Sequence, residues 1–343
     1  MRISIRRILG TAVFIILSSS LLAGCGFNYV INATNRLDRE DAKEFVVAKT
    51  EVSPITEISI HTGIAQVELI EADKFYVEID YLYWEDEPEY SLENGKLFFD
   101  DRDCFPNSYS IDFNLDNRIK IYLPKDSHFD DINIEDASGD VSLNGFVADE
   151  LDVTVSYGDF TMEEAAALDT EITLSSGYSK IKDFQARDLN FTNSYGNADF
   201  TDINTKSSRL PVDTTYDNFN IAMSSGDVDI AGINSSKVKI TNSYGDIVLG
   251  DLTTDELELK LSSGNCVLTS GKVAKAYISN SYGNVSLNIL GALADYSLDL
   301  DTSYGKIKVG ENHYEDHYTT DTDTGKKIRA ELSSGDVTID FVE

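Results

Sequence analysis

The sequence predicts an all-β protein: a parallel β-solenoid of about 19-residue repeats, closed by an N-terminal antiparallel β cap. One observation is a glycine that recurs as Gly139, Gly158, Gly177, Gly196, Gly226, Gly245, Gly264, Gly283, Gly305 and Gly335, at intervals of 19, 19, 19, 30, 19, 19, 19, 22 and 30 residues. A fixed period near 20 marks a stacked array. Another is apolar alternation on both sides of that glycine, taken as position 0. Position −5 holds Ile134, Val153, Ile172, Phe191, Ile221, Ile240, Leu259, Ile278, Leu300 and Ala330, and position +4 holds Leu143, Met162, Ile181, Phe200, Ile230, Leu249, Leu268, Leu287, Val309 and Ile339. Period-2 alternation on either side of a parity change gives two strands per repeat, with the glycine at a bulge or corner. No stretch sustains a helical period long enough to compete.

At the N-terminus, Arg2, Arg6 and Arg7 precede an apolar run over 8–22 that is too short and too rich in serine for a membrane span. It reads as a signal peptide over residues 1–24. The run ends Leu22-Ala23-Gly24-Cys25, which resembles the bacterial lipoprotein lipobox, so Cys25 is the expected lipid attachment site. Residues 25–52 read as the lipidated N-terminus and a polar tether, and Asn32-Ala33-Thr34 within them matches a glycosylation sequon by pattern only.

Residues 53–130 read as a divergent first coil followed by the cap. Ile58, Ile60, Gly63, Ala65, Val67 and Ile70 approximate the later repeat over 53–71. Aromatic, strand-like runs follow at 75–84, 90–92, 96–100 and 108–123. Asn94-Gly95 between the middle pair supplies the two positive-φ residues of a type I′ hairpin. Residues 131–343 are the regular solenoid repeats.

Loss of residues 1–24, with three arginines and no acids, takes the formal charge from −32 to −35. Such a body repels phosphate backbones and anionic headgroups, which excludes nucleic acid as a partner and holds the body away from the membrane that anchors it. Cys104 and Cys266 are the other cysteines. Cys266 shares its repeat position with Val228, Ile247 and Val285 and is expected as a small core residue rather than half of a disulfide.

Within the repeats, position −2 is serine at Ser156, Ser175, Ser194, Ser224, Ser243, Ser262, Ser281, Ser303 and Ser333. These read as a hydroxyl ladder on the outer face. Position −1 alternates Tyr157, Ser176, Tyr195, Ser225, Tyr244, Ser263, Tyr282, while −3 is large beside serine and smaller or polar beside tyrosine. Because −1 shares parity with −5, the tyrosines are expected to point inward, with −1 and −3 compensating each other in volume.

Interruptions near 204–216, 290–295 and 311–327 are where loops leave the stack. The third carries His313, Tyr314, His317, Tyr318, Asp321 and Asp323. Four-residue histidine spacing on a loop is not a metal site, and Asp321-Thr322-Asp323-Thr324-Gly325 has its glycine one residue early for a calcium loop, with Leu332 where the bidentate acid belongs. A solvated hairpin is expected there, and neither metal nor cofactor. No nucleophile elbow, phosphate loop, dinucleotide fingerprint or zinc spacing is present in the sequence, so no catalytic residue is assigned.

The lipobox, the Ser-Ser-Gly-Asp-Val and Ser-Tyr-Gly-Asp-Ile repeats and Leu123-Pro124-Lys125 just before them are together similar to the bacterial β-strand-repeat "putative adhesin" family over about 53–343. That resemblance implies a β-solenoid at the cell envelope, in some members in envelope-stress settings, and carries over no catalytic residues. The expected function is that of a noncatalytic, lipid-anchored surface protein, adhesin-like or scaffold, touching the membrane through its anchor and binding an envelope protein or glycan. The alternatives are a carbohydrate-active β-helix enzyme and an envelope-stress regulator that binds a membrane sensor.

Overall fold

The computed structural model describes residues 36–106, 115–204 and 218–342. They form 26 strands and two 3-10 turns, at Arg39–Asp41 and Leu293–Asp295, and no helix among them is long and apolar enough to cross a membrane. The all-β expectation holds. Strand alternation does what the pattern requires: the apolar columns at −5 and +4 are all buried, and they meet in one continuous core.

Parallel pairing runs from repeat to repeat with an offset of 19, as in Val153↔Ile172 and Ile240↔Leu259. Across the first interruption the offset becomes 30, Phe191↔Ile221 and Phe200↔Ile230, and every column stays in register. Residues 205–217 of that interruption lie outside the described residues, and the register on either side of it is unslipped; a slip of one residue would turn each apolar face outward. Phe191, Phe200 and Phe219 meet edge to face beside this junction, with ring centroids 5.1 and 5.3 Å apart.

Stacking order departs from chain order at both ends. Glu57–Thr62 and Gln66–Ala72, the divergent first coil, lie second: they pair on one side with Ser127–Ser138 and Val141–Asn144, and on the other with Lys96–Asp100 and Arg118–Pro124. The antiparallel strands Lys43–Glu51, Tyr76–Tyr83 and Glu89–Glu93 cover that end. Lys43–Glu51 lies within the stretch read as tether, and its pairing with Tyr76–Tyr83 draws it onto the body. The hairpin at Asn94-Gly95 forms as expected, with φ of 53° and 78° and Glu93↔Lys96 closing it.

The C-terminal end mirrors this arrangement. Lys326–Ser334 and Val337–Val342 insert directly after the Gly283 repeat, Ile278↔Ala330 and Val285↔Val337. The Gly305 repeat then stacks on them from outside, Leu300↔Ala330 and Ile307↔Val337. The 311–327 insertion is the antiparallel cover of this last coil: Asn312–Tyr314 pairs with Ile307–Val309, and His317–Thr320 with Tyr296–Thr302. The spatial order of glycines is thus 264, 283, 335, 305.

Candidate functional site

The glycine column sets the geometry of the outer edge. At each of these glycines from Gly158 to Gly283, and at Gly335, φ lies between 131° and 158°, and an added Cβ would overlap the carbonyl oxygen of the glycine one coil before. Only glycine permits both the backbone and the approach. Adjacent coils are joined here by Gly245 N–H donating to Ser263 O at 3.2 Å and Ile247 N–H to Asn265 O at 2.9 Å.

The −1 tyrosines do not point inward. Tyr157, Tyr195, Tyr244, Tyr282 and Tyr304 are 68, 65, 63, 65 and 79% exposed, whereas the −3 residues are buried. Parity fails because the strand turns its corner between −3 and 0: the ladder pairs Val155↔Leu174, skips −2 and resumes at Tyr157↔Ser176. A side chain that simple alternation would send inward is thereby swung outside. Positions −1 and −3 share no space, so volume compensation is not the reason for their alternation.

Hydrogen bonding supplies the reason at −3. Buried Asn193, Asn242 and Asn280 donate Nδ2–H to Gly177 O, Gly226 O and Gly264 O at 3.0, 2.9 and 2.8 Å, and Thr302 Oγ1 does the same to Gly335 O. The expected serine ladder at −2 is likewise displaced. The rung-to-rung ladder on this edge is built at +1, where Asp159 N–H donates to Asp140 Oδ1, Asp246 N–H to Asp227 Oδ1, Asn265 N–H to Asp246 Oδ1 and Asn284 N–H to Asn265 Oδ1, all within 3.0 Å. These Asx residues are exposed beside the tyrosine column, and Asn265 adds a second rung by donating Nδ2–H to Asp246 Oδ1 at 3.2 Å.

In chain order Tyr282 is followed by Tyr304 and then Ser334, which breaks the alternation. In stacking order the break disappears: serine 138, tyrosine 157, serine 176, tyrosine 195, serine 225, tyrosine 244, serine 263, tyrosine 282, serine 334, tyrosine 304. With coils about 4.8 Å apart, successive rings stand about 9.6 Å apart along a single file. Neither the exposure nor the continuity was read from the sequence. The signal for the continuity was the out-of-turn tyrosine at 304, and alternation gave none for the exposure.

A second polar cluster lies at the N-terminal end, in a pocket lined by His61, Asp101, Arg102, Phe105, Glu135 and Asp136. Asp101 is 3% exposed and fully engaged, accepting from Thr62 Oγ1 at 2.8 Å, from Gly63 N–H at 2.8 Å and from the Tyr81 hydroxyl. It fastens the Gly63 corner. Asp136 occupies the −3 position that asparagine holds elsewhere; its Oδ1 accepts from Ser138 N–H at 2.9 Å, and its Oδ2 is buried without a hydrogen-bond partner. Burial, reinforced by the carboxylates of Asp101 and Asp140 and opposed by the Ser138 N–H, pushes its carboxyl up to about 7. At 2% exposure the group is closed to a substrate and acts on the fold.

The other sequence candidates fall as follows. Cys25, the signal peptide and Asn32 lie outside the described residues. Cys104 and Cys266 are free, buried thiols, each pushed up to about 12 by desolvation. His313 and His317 sit on separate short strands that pair with different strands of the last coil, both exposed, and His317 Nδ1 lies 2.7 Å from Asp301 Oδ1. Among the described residues no three His, Cys, Asp or Glu side chains converge as a metal set. Asp321 and Thr322 engage Ser297 Oγ at 3.2 and 2.9 Å and hold the turn against the last coil.

A family model described as Toastrack DUF4097 matches residues 55–340. No curated protein matches the chain. Among solved structures, it is similar to a "putative adhesin" from Parabacteroides distasonis at 11% identity and a TM-score of 0.43, over 90% of this chain and 99% of that one. It is also similar to a "putative adhesin" from Bacteroides fragilis, at 10% identity and a TM-score of 0.33, over 90% and 99% of the two chains. A "putative lipid binding protein" from P. distasonis is 15% identical with a TM-score of 0.36, over 90% of this chain and all of that one.

Proposed function

The chain belongs to the Toastrack DUF4097 family, and from that premise we propose that it is a noncatalytic, lipid-anchored protein of the bacterial envelope, adhesin-like or scaffold, built on a β-solenoid of about 19-residue repeats. The 19-residue parallel registers support the solenoid reading, with 53–130 forming the first coil and cap and 131–343 the repeats. One observation carries the functional reading: a rigid, fully registered body displays a single file of exposed tyrosines along its whole repeat region. A ligand that meets such a surface meets the same group at regular intervals, which serves retention rather than turnover, because repeated identical contacts raise avidity without assembling a reacting centre.

The lipobox supports reading Cys25 as the anchor on the extracytoplasmic face, with 1–24 removed as a signal peptide. Cys25→Ser is expected to leave an uncleaved precursor without diacylglycerol. Fractionation and mass spectrometry of the two forms read the outcome directly. A processed Cys25→Ser chain that still carries lipid contradicts the anchoring reading.

A further inference from the structure

We propose that the tyrosine column binds a linear β-1,4-linked glycan, neutral or amino-substituted, lying along the stack with every second sugar on a ring. The inference rests on the surface-binding reading above and names its site and ligand. Its geometry begins with the two-coil spacing of about 9.6 Å between successive tyrosines, five of which span about 38 Å. A β-1,4 chain turns the same sugar face toward one side at every second residue, and that two-sugar repeat is close to the ring spacing. An extended peptide repeats every two residues at about 6.7 Å and falls out of step after one ring.

A polyproline II helix repeats at about 9.3 Å and is the nearest competitor in length. Such ligands dock in grooves between aromatic walls. Here each ring stands more than 60% exposed on an outer corner, in single file, with half-buried serines 176, 225, 263 and 334 between the rings. That presents platforms rather than slots, and an apolar sugar face stacks on a platform. Polar partners for sugar hydroxyls flank the rings of Tyr157, Tyr195, Tyr244 and Tyr282, and Ser303 and Lys306 flank Tyr304. Ser156, Ser194, Ser243 and Ser281 precede the tyrosines, and Asp159, Asn197, Asp246 and Asn284 follow the glycines.

Charge narrows the class further. Carboxylates at Asp140, Asp159, Asp227, Asp246 and Asp336 border the column, and the whole chain carries −32. Uronic or phosphorylated polymers are repelled, as is a second copy of this chain, whose own acidic row would face this one. Neutral and amino sugars remain.

Isothermal titration of the purified chain with cello- and chito-oligosaccharides of two, four, six and eight sugars tests the proposal, with polygalacturonate and a polyproline peptide as the other arms. Affinity is expected to rise with each added pair of sugars, as successive rings are engaged. Tyr195→Ala and Tyr244→Ala are each expected to weaken the eight-sugar ligand about five- to tenfold, with unchanged melting curves, and Tyr244→Trp to retain binding. Length-independent binding, binding that survives the Tyr195→Ala/Tyr244→Ala double variant, preference for polyproline or polygalacturonate, or no binding to any β-1,4 glycan overturns it. A chain that anchors through Cys25 but binds none of these sugars sinks this inference and leaves the anchoring reading standing.

Discussion

Gly245→Ala is expected to lose about 3 to 5 kcal/mol of stability, although it adds one methyl group at a corner. Two costs combine. The backbone at Gly245 has φ of +135°, a region that side chains occupy only at about 1 to 3 kcal/mol of strain. The new Cβ would also overlap the Gly226 carbonyl oxygen, a backbone atom held by its own coil, and overpacking of that kind costs about 1 to 3 kcal/mol more. Gly310→Ala is the control: it too has positive φ, at 57°, but nothing lies near its Cβ, so only the left-handed cost of about 1 to 2 kcal/mol applies. Urea melts that put the two losses level would mean that the glycine column is not in contact from coil to coil.

Asp136→Asn is expected to stabilise the protein at pH 8 by about 2 to 4 kcal/mol and to leave it nearly unchanged at pH 4. The wild-type carboxyl titrates near 7 when folded and near its ordinary value of 3.8 when unfolded. Between those values the native state holds a proton that the unfolded chain releases. Stability therefore falls as pH rises through that window, by about 4 kcal/mol for three units. The groups that bear on Asp136 are the carboxylates of Asp101 and Asp140 and the Ser138 N–H.

Asparagine also restores what its counterparts do. At Gly196, Gly245 and Gly283 an Asn Nδ2 donates to the carbonyl of the preceding glycine; at Gly139 Ala65 O and Asp136 Oδ2 both lie beside the place a Cβ would take, and Oδ2 can donate only when protonated. Melting curves from pH 4 to 8 check this. A wild-type stability that is flat or rises across that range would remove Asp136 as the titrating group.

The glycine period and the −5 and +4 columns were legible because each coil places the same position in the same environment, so a one-dimensional repeat records a three-dimensional column. Asn94-Gly95 was legible because its turn is local. The inward reading of Tyr244 failed for a physical reason: alternation is a property of an evenly extended strand, and the strand Val228–Tyr244 turns where the ladder skips −2. A second corner at +6 also escaped notice. Its positive-φ column, Gly145, Glu164, Asp183, Asp202, Gly232 and Asp251, mixes glycine with aspartate, which tolerates the left-handed region, and with one glutamate, and so leaves no uniform letter in the sequence. Coil order at the two ends was invisible to period counting, because a repeat gives the offset between coils and not which coil is next.

The tyrosine file is continuous only if the C-terminal repeat lies between those of Gly283 and Gly305. Oxidative crosslinking of paired cysteines in a Cys25→Ser background measures this order most directly. Tyr282 and Ser334 are partners on adjacent coils, so Tyr282→Cys with Ser334→Cys places Cα atoms about 4.8 Å apart, within disulfide reach. Tyr282→Cys with Tyr304→Cys places them two coils apart, at about 9.6 Å, beyond it. The predicted result is a disulfide in the 282/334 pair and none in the 282/304 pair; a bond between 282 and 304, with 282 and 334 remaining reduced, would restore chain order and break the column.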